Sequence, residues 1–150
     1  MDKTQTIEKI QKVKKFHEFQ MDNLQDFLNG KHVEAPTCIS KTQCEFGRWL
    51  YGNDNNIEKI LGSQFYGSLD KLHTQWHQEY AKIYKLVCEN KQKGFFTKVF
   101  GNCEGRLDPL LLDKAKLYHE DLKEISQELL KVLVLCQRRV FAMNDSMFDT

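Results

Sequence analysis

The stretch "DPLLLDKAKLYHEDLKEISQELLKVLVLCQRRVFA", residues 108–142, decides the fold class. Asp108 is a capping residue, and proline is tolerated at the first helical position, so Asp108-Pro109 reads as a helix start. From there Leu110, Leu117, Ile125, Leu129, Val132, Cys136 and Val140 recur at helical spacing and make the expected inner line. A helix running to about Ala142 must bury that line against other elements.

Working back along the chain, residues 90–107 carry three glycines and read as a connection, with one helical turn expected around 96–100. Before it, a long helix is expected over about Gln64–Asn90, with Leu69, His73, Trp76, His77, Tyr80, Tyr84 and Val87 inward. A short turn near Ile57–Leu61 precedes it. The stretch "SKTQCEFGRWLYG", residues 40–52, reads as a short helix stopped by Gly52, and Ser40 with Gln43 has capping-box spacing. That reading puts Cys44 in the first helical turn, where the helix N-terminus lowers a thiol pKa. A first helix is expected over about Thr4–Asn29, with Ile10, Val13, Met21, Leu24 and Leu28 inward and Gly30 as its stop. Long helices with short connections imply an all-α fold, an antiparallel four-helix bundle with an additional short helix or helical turns.

The 150 residues fit one domain, 1–150. Lys plus Arg (22) against Asp plus Glu (21) leaves a net charge of +1, with no phosphate-binding stripe, so nucleic acid is not an expected partner. "KIQKVKK" at 9–15 reads as a solvated helix face. The charged N-terminus lacks a signal-peptide core and there is no 18-residue apolar run, so no membrane insertion and a cytoplasmic location are expected. Five cysteines at irregular spacing then read as thiols, Cys88 and Cys136 as packing residues and Cys38 as a loop residue.

"HTQWH" places His73 and His77 four apart, on one helix face with a rise of about 6 Å, where both imidazoles can reach one ion. The same spacing also suits two partly buried polar residues. His17 lies on the inner line of the first helix, and Cys44 lies beside Gly47, which permits close approach. Three neutral imidazoles and a thiolate form a four-ligand set suited to Zn²⁺ rather than Mg²⁺ or Ca²⁺. Trp49 and Trp76 read as packing residues. His32 and His119 read as surface residues.

The order of His17, then Cys44-Glu45-Phe46-Gly47-Arg48-Trp49-Leu50, then His73 and His77 resembles the chemoreceptor zinc-binding (CZB) family over about residues 10–90. The resemblance implies a helical bundle in a stand-alone form, with His17, Cys44, His73 and His77 as zinc ligands. It implies a non-enzymatic regulatory domain that senses zinc or oxidants and signals to a partner protein in bacterial chemotaxis or second-messenger control. It also implies a homodimer, to which Phe95, Phe96, Phe100 and Phe148 would lend exposed aromatic surface. Two alternatives stand beside it: a hemerythrin-like di-iron bundle, and a zinc enzyme whose metal is held by three histidines.

Overall fold

A computed structural model describes residues 1–34, 36–37, 39–89 and 108–148. The described residues form an all-α bundle without strands. Three helices are long: α1 (Lys3–Leu28), α4 (Ser63–Tyr84) and α5 (Pro109–Ala142). Two are short, α2 (Glu45–Leu50) and α3 (Ile57–Leu61). A π-helical segment, Lys85–Glu89, continues α4, and a 3₁₀ turn, Asp145–Met147, follows α5. The connection over 90–107, with its expected turn and with Phe95, Phe96, Phe100 and Cys103, lies outside the described residues, as does Cys38.

Local chemistry sets the helix ends. Asp2 caps α1 in a capping box with Gln5. At the other end, Gly30 adopts φ +78° and donates to Phe27 O, while Lys31 N donates to Asp26 O, which is a Schellman stop. Asp108 accepts from Leu110 N and starts α5 as expected.

α5 lies antiparallel to both other long helices. Lys3 Nζ reaches Met143 O at 2.7 Å and His17 meets Ser126, so α1 and α5 run in opposite directions. Arg139 Nε donates to Ile60 O just before α4, and Lys82 sits over the Tyr118 ring near its end. α1 and α4 therefore run the same way, and residues 29–62 carry the chain back between them. α2, folded within that return, rests on α1 through Glu45, whose carboxylate lies 3.1 Å from Lys12 and 3.7 Å from Lys9.

The inner line of α5 differs from the expected one. Ala115, His119, Leu122, Ser126, Leu129, Leu133, Cys136 and Val140 are buried, whereas Leu110 and Leu117 are 77% and 69% exposed. His119 and Ser126 occupy seam positions that an apolar reading assigns to leucines, which shifted the expected phase of the N-terminal half. His119 is therefore buried, not superficial. Phe148, expected to be exposed, packs into the core beside Ile60 and Val140.

The core is two apolar clusters. One gathers Val13, Phe46, Trp49, Leu69 and Leu129; the other gathers Leu24, Trp76, Ile83 and Leu122. On every long helix a polar residue stands between them: His17 on α1, His73 on α4 and Ser126 on α5. The bundle is thus crossed by one polar layer. Cys44 and Cys136 are buried free thiols, while Cys88 is disulfide-bonded, contrary to the expectation of thiols throughout. Among the described residues no helix is long and apolar enough to cross a membrane.

Candidate metal centre

The polar layer holds a convergent donor set. Cys44 Sγ, His73 and His77 offer ligand atoms that all lie within 4.8 Å of one another. Sγ is 3.2 Å from His73 Nε2, and the two Nε2 atoms are 3.1 Å apart. The four-residue step along α4 brings the two imidazoles together, as expected.

Cys44 reaches them from a different local structure than expected. Ser40 O accepts from the Gln43 and Cys44 amides in a turn, and Cys44 is itself the N-cap of α2, its sulfur accepting from Gly47 N at 3.2 Å. Gly47 is required here. A Cβ at that position would stand 1.7 Å from Lys41 O, so the close approach it permits is that of the 41–42 backbone folding over the helix start. Lys41 O in turn faces Sγ at 3.5 Å.

The far side of each imidazole is tethered. His73 Nδ1 lies 3.3 Å from Tyr51 OH, and that hydroxyl donates to Asp70 Oδ1 at 2.7 Å. The His77 ring bonds to the backbone of Ile39. Phe46 stacks on His73 with centroids 4.5 Å apart, and Trp76 meets both His77 and His17 edge-on. These rings bury Cys44 and His73, while His77 is half-buried.

Burial governs the charge states. Desolvation, and then the neighbouring imidazoles, lower the pKa of His73 to about 3. Desolvation holds His77 at about 4 and, with the nearby His77, His17 at about 4. All three are neutral at pH 7, the form that ligates. Cys44 departs from expectation. Burial pushes its thiol up and outweighs the amides of α2, which act in the other direction.

His73 and His77 each have one ring nitrogen on an outer partner, which leaves the two Nε2 atoms facing each other and the Cys44 sulfur, whose S–H also has Lys41 O in reach. Three acceptors meeting in one pocket suit a thiophilic divalent ion such as zinc, and the group includes no carboxylate of the kind a di-iron bundle uses.

His17 is buried in the same layer, but its Nε2 contacts Ser126 Oγ at 2.7 Å, and it is not among the three mutually close donors. Trp49 and Trp76 are packing residues, as expected; Trp76 Nε1 contacts Met21 Sδ. His32 is exposed. Sequence reasoning missed Tyr51, Asp70 and Ser126. A strict seven-residue count along α5 would have found Ser126. Nothing local marks the pairing of Tyr51 with Asp70, which comes from folding α2 onto α4.

No curated protein and no solved structure matches the chain. Residues 17–84 match the family model of the chemoreceptor zinc-binding domain. The matched segment starts at His17, contains Cys44, His73 and His77, and ends with α4, leaving α5 outside. Over residues 17–84, the chain is similar to the chemoreceptor zinc-binding domain family.

Proposed function

We propose that this protein is a non-enzymatic regulatory sensor that binds one zinc ion per chain and passes its state to a signalling partner. The observation that carries the reading is the meeting of Cys44 Sγ with two imidazole nitrogens whose opposite sides are already held. Residues held in place before an ion arrives lose little freedom when it binds. The ligands of this reading are Cys44, His73, His77 and His17. Were His17 to ligate through Nε2, it would give up its hydrogen bond to Ser126, and occupancy would be felt by α5. Bound zinc supplies a cation that keeps the Cys44 sulfur anionic.

The signal of this reading is zinc itself or an oxidant, and Cys44 is the responsive residue. A Cys44 thiolate meeting hypochlorous acid takes its oxygen, becomes a sulfenic acid and releases chloride. That change weakens a metal ligand and the cap of a six-residue helix at once, because one sulfur serves both. A homodimer in the cytoplasm remains part of the reading, supported by the family.

Elemental analysis of purified protein tests it. One zinc per chain is expected, with Cys44→Ser and His77→Ala each lowering the content. Absence of zinc from metal-supplemented protein, or full content in both variants, sinks the reading. An absorption band of oxidised di-iron would replace it with the hemerythrin-like alternative.

A further inference from the structure

The hydrogen bonds around His73 determine which ring nitrogen carries its proton. Tyr51 has one hydroxyl proton, and that proton goes to Asp70 Oδ1 at 2.7 Å. The same phenol oxygen lies 3.3 Å from His73 Nδ1. With its proton committed, the oxygen can only accept there, so Nδ1 must be the protonated nitrogen. Lys41 Nζ reaches both Asp70 Oδ1 at 3.3 Å and Thr74 Oγ1 at 2.9 Å, and keeps the carboxylate in place as an acceptor. Neighbouring charges agree: the Tyr51 hydrogen bond and Lys41 hold the Asp70 carboxyl below its usual range, and burial with Asp70 pushes the Tyr51 phenol up.

We infer that Tyr51, locked by Asp70, is a positioning residue that holds His73 as its Nδ1–H tautomer and thereby aims the bare Nε2 lone pair at Cys44 and His77. The placement has a structural logic. α2 is six residues long, with Cys44 as its N-cap and Tyr51 as its C-cap, so one short helix supplies a candidate ligand and the outer partner of another. Asp70 stands one turn before His73 on α4, and completes the clamp from the second element. For His77 the equivalent partner is backbone, at Ile39, which leaves Tyr51 and Asp70 as the outer contacts that substitution can remove.

The inference rests on the proposed zinc site for its purpose, but not for its first measurement. In metal-free, ¹⁵N-labelled protein at pH 7, long-range proton–nitrogen correlations read the His73 tautomer directly. Wild type is expected to show protonated Nδ1 and bare Nε2. Tyr51→Phe, which keeps the ring, is expected to shift the population toward Nε2–H, and Asp70→Asn to do so less. In competition with a chromogenic chelator, Tyr51→Phe should bind zinc roughly 10–100-fold more weakly. A wild-type His73 protonated at Nε2, or a Tyr51→Phe protein with the wild-type tautomer and zinc affinity, overturns the inference. Wild type that fails to bind zinc while showing the expected tautomer shift overturns the zinc reading and leaves the positioning role standing.

Discussion

At the α2 end of the polar layer, His73 is 1% exposed and both of its ring nitrogens have partners. Two turns before Ser126 on α5, His119 is 4% exposed, and its Nε2 has no partner among the described residues. Desolvation lowers the pKa of both. Burial and charge state thus fail to separate them. Convergence does: other donors point at His73 Nε2, whereas His119 stands apart from any group of ligand atoms among the described residues. A buried histidine becomes a candidate ligand through the company of its free nitrogen.

Acid puts the largest load on this contrast. A histidine whose pKa is lowered by folding binds fewer protons folded than unfolded. Its contribution is complete above about 6.5, falls as pH drops through 6.5 toward the folded value, and flattens below that. Lowering His17 from 6.5 to about 4 corresponds to about 3 kcal/mol, and His73 and His77 shift in the same direction. Metal-free protein should therefore lose stability steeply between pH 6.5 and 4. Urea midpoints that stay level across that window would mean that the layer is hydrated in solution.

The next effect separates two glycines. Gly47→Ala drives a Cβ into Lys41 O and should cost about 3 kcal/mol, with loss of the Cys44 turn. Gly67→Ala, exposed on α4 with nothing within 4 Å, should stabilise by about 1 kcal/mol. Thermal melts of the two variants check the pair; equal shifts would remove the special status of the 41–47 turn.

The smallest effect returns to α5. Ser126→Ala leaves the buried His17 Nε2 without its partner and should cost about 2 kcal/mol. His119→Leu removes a nitrogen that had none, and should fall within about 1 kcal/mol of wild type. Denaturant titration of both is the measurement, and the reverse order would place the key polar contact of α5 at His119.

The sequence carried the helical class, the ends of α1 and α5, the position of α3 and the pairing of His73 with His77, because caps, stops and four-residue spacing are local chemistry. The phase of α5 near its start was not legible, since Leu110 and Leu117 are apolar yet face solvent while His119 and Ser126 turn inward. The state of the Cys44 thiol was misread for a related reason. Helix position argued for a lowered pKa, but the burial that reverses it comes from Phe46, Trp49 and the 41–42 backbone closing over the sulfur. Tertiary contacts decided each of those points.

The polar layer also fixes alignment. The buried positions 115, 119, 122, 126, 129, 133, 136 and 140 on α5 repeat every seven residues, and an apolar seam of that period can slip by one repeat and still interlock. Here a slip of α5 in one direction would set Leu133 against His17 and strand its ring nitrogen; a slip in the other would set His119 there and bury Ser126 among leucines. Either breaks the buried bond between His17 and Ser126, so that contact acts as an index mark on two otherwise sliding rulers. A shift of α5 along α1 then requires His17 to let go of Ser126.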